Sequence, residues 1–311
     1  MHFLVTGGGG FIGSHLVHRL VEQGRRVRVL DNFATGKRSN LAAVEGKIEL
    51  LEGDIRDPAT CKRACAGIEV VFHEAALPSV PKSVEDPVSS NAVNIDGTFN
   101  MLVAARDAKV RRFVYAASSS AYGDTPTLPK IETMPTNPLS PYAVQKLTGE
   151  YYCSVFAKCY GLQTLAIRYF NVFGPRQDPA SQYAAAIPAF VTHVIRGEPP
   201  TIYGDGEQTR DFTYIENVIH ANLLAAEAKQ TNGEVCNVAC GEHVTVNAVI
   251  AEINKLLGKN VKPHYVDPRP GDIKHSWADI SLAERLIGFK PVVTFAEGLR
   301  RAIEWYKANC K

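Results

Sequence analysis

The sequence is short of charge of one sign, of long apolar runs and of paired cysteine motifs. Its 34 Lys and Arg against 32 Asp and Glu leave a formal net charge of +2. That excess is too weak to imply a nucleic acid or an anionic membrane as partner. No apolar run approaches 18 residues, so no membrane-spanning helix is expected. His2-Phe3-Leu4-Val5-Thr6 runs into glycines without a basic segment before it, which does not read as a signal peptide. The seven cysteines (Cys61, Cys65, Cys153, Cys159, Cys236, Cys240 and Cys310) form no Cys-x-x-Cys pair and have no histidine at metal-site spacing. Free thiols in a reducing cytoplasm, and no metal, are the expectation. Internal repeats and long Gly/Ser/Pro linkers are also missing.

What is present is alternation. Short β-branched runs (Phe3–Thr6, Arg26–Leu30, Ile48–Leu51, Val70–His73, Phe113–Ala117, Thr164–Arg168) are separated by segments with apolar residues at helical spacing, such as Ile12-Leu16-Leu20 and Ile95-Phe99-Leu102. This reads as an α/β fold, a doubly wound parallel (Rossmann) sheet with helices on both faces. After about Asn171 the rhythm changes. The stretch 172–213 is rich in Pro, Gly and Asp, with a helix expected at Ile187–Arg196. Residues 214–240 read as one more helix and strand, and the tail from Glu242 as mostly helical. The expected division is a dinucleotide-binding domain of 1–171 plus about 214–240, and a smaller discontinuous substrate-binding region of about 172–213 plus 241–311. The smaller part should cap the carboxyl ends of the strands, where ligands of such sheets bind.

Gly7, Gly10, Phe11, Ile12 and Gly13 lie where the first strand should turn into the first helix. The spacing G-x-x-G-x-x-G gives a tight turn, a close backbone approach to a pyrophosphate and close helix–strand packing. The helix N-terminus then faces the negative charge. Asp31 ends the second strand, where a carboxylate accepts from ribose hydroxyls and repels a 2′-phosphate, favouring NAD over NADP. Lys37 and Arg38 read as solvated loop charges. Asp54, with Ile55, follows the third strand and either meets the adenine or caps the next helix.

Tyr142 and Lys146 are four residues apart, on one face of a helix beginning after Pro141. Roughly one such pair is expected by chance in a chain with 12 Tyr, so its context carries the information. A phenol with an ordinary pKa of about 10 must lose about 3 units, or about 4 kcal/mol, to act as a base at neutral pH. One positive charge at about 4 Å in an effective dielectric of about 20 supplies that much. Lys146 is one such charge and an oxidised nicotinamide another. Ser118, at the end of the fifth strand, can relay the proton. Ser119 and Ser120 follow it; all three could otherwise be turn residues.

Together these segments resemble the extended short-chain dehydrogenase/reductases, and within them the NAD-dependent nucleotide-sugar epimerases. The resemblance runs nearly end to end: Gly7–Gly13, Asp31-Asn32-Phe33, Gly53-Asp54-Ile55, His73-Glu74-Ala75-Ala76, Asn94-Ile95-Asp96-Gly97-Thr98, Ser118–Gly123, Tyr142-x-x-x-Lys146, Arg168-Tyr169-Phe170-Asn171, Thr209-Arg210-Asp211-Phe212 and Arg269-Pro270-Gly271-Asp272. It implies a UDP-sugar substrate, NAD as cofactor and catalysis by Ser118, Tyr142 and Lys146. Cofactor contacts would include Asn32, Ala75, Ala76, Asn94 and Tyr169 beside the glycines, Asp31, Asp54 and Ile55. Asn94 would brace the helix behind the site. Asn171, Arg210 and Arg269 would hold the diphosphate, since guanidinium forks suit phosphate oxygens. Tyr203 would lie near the uracil, and Ser79, Ser119, Ser120 and Asp272 would complete the sugar side.

Finer matches, including Asp31–Gly36, Tyr183-Ala184-Ala185 and His275-Ser276-x-Ala278-Asp279-Ile280-Ser281, resemble the UDP-N-acetylglucosamine 4-epimerases of bacterial surface-polysaccharide pathways. In that resemblance Ser276 faces the sugar's 2-substituent, and a small residue there leaves room for an acetamido group. UDP-glucose should also be accepted. A UDP-glucuronate or UDP-N-acetylglucosaminuronate 4-epimerase or decarboxylase is the alternative, with a non-catalytic NAD-binding regulator behind it. A 4,6-dehydratase would need an Asp-Glu pair where Ser119-Ser120 stand. The resemblance further implies a homodimer through a four-helix bundle, formed by about Asn94–Ala108 and Tyr142–Tyr160 of each subunit.

Overall fold

Seven parallel strands carry the molecule, and their order leaves one cleft. The structure, a computed structural model, describes residues 1–179, 186–268 and 274–310. Strands β1 (His2–Thr6), β2 (Arg26–Asp31), β3 (Glu49–Glu52), β4 (Val70–His73), β5 (Arg112–Ser118), β6 (Gln163–Tyr169) and β7 (Glu234–Val238) lie in the order β7-β6-β5-β4-β1-β2-β3. Each strand expected from sequence is found within two residues of its bounds. Chain order reverses between β1 and β4, which pair in register through Thr6 and His73. A crevice opens at that switch point, beyond the carboxyl ends of the strands.

The sheet is covered on both faces, which is why β4 is buried at every residue and β5 at all but its last, and neither needs a polar face. Helix α1 (Phe11–Glu22) buries Leu16, Val17 and Leu20 against Phe3, Val5 and Val29. Helices α2 (Pro58–Cys65) and α3 (Thr98–Asp107) bury Cys61, Ala64, Met101 and Leu102 on the other face. The stripe Ile95-Phe99-Leu102 is interrupted: residues 92–97 form a π turn, and Phe99 is 40% exposed, packed edge-on to Phe156 and against Tyr152.

Helix α4 (Pro141–Tyr160) starts where the sequence placed it. Ser140 caps it by accepting the N–H of Ala143 at 3.2 Å, and Pro141 occupies the first turn. Helix α5 (Ile215–Glu227) leads into β7. The later part of the chain contains the expected helix at Ala186–Arg196 and helices at Val246–Leu257, Ser281–Ile287 and Phe295–Asn309. It also contains short strands not foreseen from sequence. Thr209–Arg210 pairs with His275–Ser276 and with Val244–Thr245, and Thr201–Tyr203 pairs with His264–Val266. Pairs of two or three residues carry no readable alternation. Tyr183, Ala184, Ala185, Arg269 and Asp272 lie outside the described residues.

Candidate active site

One cleft has a volume of about 650 Å³ and runs from the glycine loop to the end of β5. Gly7, Gly10, Phe11, Ile12 and Gly13 line one end. Gly7 has φ +67, and a Cβ there would stand 2.8 Å from the Ala75 backbone. A Cβ on Gly13 would lie 2.2 Å from the Gly7 carbonyl oxygen. The loop is therefore a cradle closed against its own backbone, with the start of α1 facing the cleft, which suits a pyrophosphate. Gly13→Ala should force the loop open. We expect dinucleotide affinity to fall at least about tenfold and Tm to fall by several degrees, as for overpacking worth about 1–3 kcal/mol. Ligand titration and a thermal melt check this.

Asp31 does more than face a ribose. Its carboxylate accepts the N–H of Gly9 at 2.8 Å and of Phe33 at 2.7 Å, so it also ties the glycine loop to the β2 end. Burial pushes its pKa up against those two bonds. A carboxylate has about four acceptor positions, so room remains for ribose hydroxyls. Asp54 does not cap the next helix; Asp57 does, accepting from Ala59 and Thr60 at 3.1 Å. Asp54 instead pairs with Arg56 at 2.7 Å and accepts from Asn32 at 2.8 Å, which hold its carboxyl down at about 2. Asp54, Ile55 and Asn32 all line the cleft, as do Ala75 and Ala76. Lys37 is not purely solvated: it lines the cleft and pairs with Asp178 at 2.8 Å.

At the other end stand Ser118, Ser119 and Tyr142. Ser118 terminates β5 and caps the 3₁₀ turn Ser119–Tyr122, accepting from Ser120 N–H at 3.2 Å and Ser120 hydroxyl at 2.9 Å. Tyr142 sits on the first turn of α4, and its backbone N–H donates to Ser83 Oγ at 3.0 Å. The tuning expected of Lys146 is only partly what the protein shows. Burial pushes the Tyr142 phenol up to about 12; a hydrogen bond with Ser118 pulls it down and Glu74 pushes it further up. Lys146 itself donates from Nζ to the Ala116 carbonyl at 2.9 Å and lies 5.1 Å from the Tyr115 ring centroid. Burial lowers it to about 8, while Glu74 and Glu150 raise it. The lysine is thus anchored to the β5 backbone, and further positive charge at the phenol has to come from elsewhere.

The remaining candidates divide. Tyr169 and Asn171 line the cleft, with Asn171 donating to the Asp211 carbonyl at 3.0 Å. Asn94 is buried and does not line the cleft. It accepts from Leu77 N–H at 2.8 Å and donates to Gln145 at 2.8 Å, so it braces the 75–79 loop against α4 rather than touching a cofactor. Ser79 caps the helix Val80–Glu85, accepting from Lys82 at 3.2 Å. Tyr203 lines a second cavity of about 670 Å³ with Gln208, Tyr265 and Lys274. Arg210 and Ser276 are neighbours across a parallel pair. Arg210 donates to the carbonyls of Thr209 and Lys274, at 2.9 and 3.2 Å. Asp211 behind them accepts backbone N–H groups from Cys240, Gly241 and Ala278, which pins three loops together. Among the described residues no cluster of His, Cys, Asp and Glu could hold a metal, no helix is long and apolar enough to cross a membrane, and all seven cysteines are free.

Sequence reasoning assigned no role to Glu74 or Arg176, although both line the cleft. Arg176 has φ +66 and donates to Asn40 and His15 beside the glycine loop. Neither carries a spacing signal, since their partners are about 95 to 160 positions away.

A family model described as the NAD dependent epimerase/dehydratase family matches residues 3–239. A putative UDP-glucose 4-epimerase of Methanocaldococcus jannaschii is 39% identical over 98% of both chains. A solved UDP-N-acetylglucosamine 4-epimerase from Methanobrevibacter ruminantium M1, in complex with UDP-N-acetylmuramic acid, superposes with a TM-score of 0.95 at 42% identity, covering 99% of this chain and 98% of that one. The UDP-glucuronic acid 4-epimerase from Bacillus cereus, in complex with UDP-glucuronic acid and NAD, superposes with a TM-score of 0.91 at 34% identity, covering 99% of each.

Proposed function

This chain belongs to the NAD-dependent epimerase/dehydratase family, and from that premise we propose that it inverts C4 of a UDP-hexose, with UDP-N-acetylglucosamine and UDP-N-acetylgalactosamine as the preferred pair. The observation that carries the reading is the meeting of Ser118 and Tyr142 at one end of a cleft, with Lys146 held on the β5 backbone at the Ala116 carbonyl, while the other end of the cleft is a glycine cradle. NAD, when bound, supplies the acceptor and donor of one hydride; that chemistry belongs to the cofactor. The chain's residues do the rest. Tyr142 takes the 4-OH proton, with Ser118 as relay, and gives it back to the turned sugar. Lys146 holds positive charge behind the wall. Asn171 and Arg210 hold the diphosphate, so the sugar can rotate without leaving. Tyr203 and its cavity receive the uracil, and Ser276, half-buried beside Arg210, leaves room for the acetamido group. Residues 1–171 plus about 214–240 serve the cofactor, and 172–213 plus 241–311 serve the nucleotide sugar.

The test is a substrate panel without added reductant. UDP-N-acetylglucosamine, UDP-glucose and UDP-glucuronate are incubated separately and the products resolved by proton NMR. Conversion of the N-acetylated sugar at equal or better kcat/KM than UDP-glucose is expected. Turnover of UDP-glucuronate alone would overturn the substrate, and is the second reading because a UDP-glucuronic acid epimerase shares the fold at 34% identity.

We further propose a homodimer. Val144, Tyr151 and Val155 are 47%, 61% and 48% exposed at i, i+7 and i+11 on α4, an apolar stripe at helical spacing. Phe99 on α3 adds to it. Sedimentation velocity should give a dimer at micromolar concentration, and Tyr151→Glu should shift it to monomer.

A further inference from the structure

One half-buried carboxyl in the cleft has no part in the reaction above. Glu74 follows His73, whose β5 partner is Tyr115. The next residue of β5, Ala116, offers the carbonyl that holds Lys146. Glu74 Oε1 accepts from the Tyr169 hydroxyl at 2.9 Å, and that hydroxyl accepts in turn from Asn222 Nδ2 at 2.8 Å. The carboxylate is thus fixed by a two-step chain from β6 to α5, and it lines the same cleft as Ser118 and Tyr142. A fixed carboxylate in a catalytic wall is costly unless its charge is used.

The hydride and the proton leave one carbon–oxygen unit, so the nicotinamide end of the cofactor must face the Ser118–Tyr142 wall. We propose that Glu74 is the charge-selecting residue of this cleft, binding the cationic oxidised ring in preference to the neutral reduced one and so driving the hydride back onto the sugar. The inference rests on the reading of the cleft as a nicotinamide redox site. The oxidative half would pass one hydride from sugar C4 to the cofactor and the 4-OH proton to Tyr142, and the reductive half would return both, so nothing is consumed. A site that favours the oxidised ring keeps that cycle from stalling in its reduced half. Tyr142 would show the opposite side of the same charge, since Glu74 opposes formation of its phenolate.

The groups facing Glu74 are Tyr142 and Lys146 from α4 and Tyr169 from β6, with neutral, buried His73 next to it at the end of β4. Burial raises its carboxyl to about 7, while Tyr169 and Lys146 lower it. Its charge is therefore gained as pH rises through about 7, and the preference for the oxidised ring should grow from pH 6 to 8. Lys146, brought down to about 8, loses its charge over the upper part of that range and acts in the same direction. The variants separate the two.

The experiment is direct binding of NAD⁺ and of NADH to cofactor-free protein by calorimetry, at pH 6, 7 and 8, without any sugar. Glu74→Gln should cut the preference for NAD⁺ over NADH at pH 8 on the order of tenfold, the effect of one charge at about 10 Å in an effective dielectric of about 20. It should also flatten the pH dependence. Tyr169→Phe removes the donor and should move the midpoint of that dependence to higher pH; Glu74→Asp should retain part of the preference. A Glu74→Gln protein that weakens both forms equally, or changes neither, makes Glu74 a packing residue and overturns the inference. If Glu74→Gln does not fold, an unmoved midpoint in Tyr169→Phe overturns it instead. Wild type that binds neither nucleotide sinks the functional reading itself.

Discussion

Tyr142→Phe should lower kcat by about 10²–10⁴-fold, the usual range for loss of a positioned general base. The substitution removes one oxygen from a buried wall and leaves the ring, so fold and KM should change little. The base works uphill. Burial raises the phenol to about 12, above its ordinary value of about 10. The phenolate is therefore the scarce form at neutral pH, and kcat of the wild type should rise with pH between about 6 and 9. Ser118 lowers that phenol by hydrogen bonding, so Ser118→Ala should also slow turnover and displace the rising limb to higher pH. Initial rates with UDP-N-acetylglucosamine across pH, for wild type and both variants, check the assignment. A Tyr142→Phe rate near that of wild type would remove Tyr142 from the reaction.

Ser276→Tyr should change what is accepted rather than how fast. Ser276 pairs in parallel with Arg210, and its backbone carbonyl accepts the N–H of Asp211 at 3.0 Å. The strand is tied along one side to Thr209–Arg210, and a ring added at Ser276 is expected to take up the space proposed for the 2-substituent. Forcing an acetamido group against it costs about 1–3 kcal/mol by the overpacking range. The ratio of kcat/KM for UDP-N-acetylglucosamine over UDP-glucose should fall about tenfold to a hundredfold, mostly through the N-acetylated substrate. An unchanged ratio would mean that Ser276 does not face C2.

The fold was legible because its signals are local. The runs Phe3–Thr6, Val70–His73 and Phe113–Ala117 are apolar over three to five successive residues, as strands covered on both faces must be. The glycines of the first turn and the Ser140-Pro141 start of α4 are short-range rules of backbone geometry. Order along the chain was enough to place Ser118 and Tyr142 on strand and helix ends that meet. Less was legible after residue 200. There, strands of two or three residues owe their existence to partners 34 to 66 positions away, such as Thr209 with His275.

The sequence by itself determined the doubly wound sheet, the glycine turn before α1 and the places of Ser118 at the end of β5 and of Tyr142 and Lys146 on α4, since each follows from periodicity, turn chemistry or motif order. Only the tertiary structure decided how charge is arranged around that set. Lys146 turns to the Ala116 carbonyl, Asp31 ties the glycine loop, Asp57 rather than Asp54 caps α2, and Glu74 is fixed by Tyr169 and Asn222. The reason is physical. A pKa or a buried hydrogen bond depends on desolvation and on partners brought within about 3 Å, and three of those four arrangements join residues 22 to 95 positions apart, where sequence spacing carries no information.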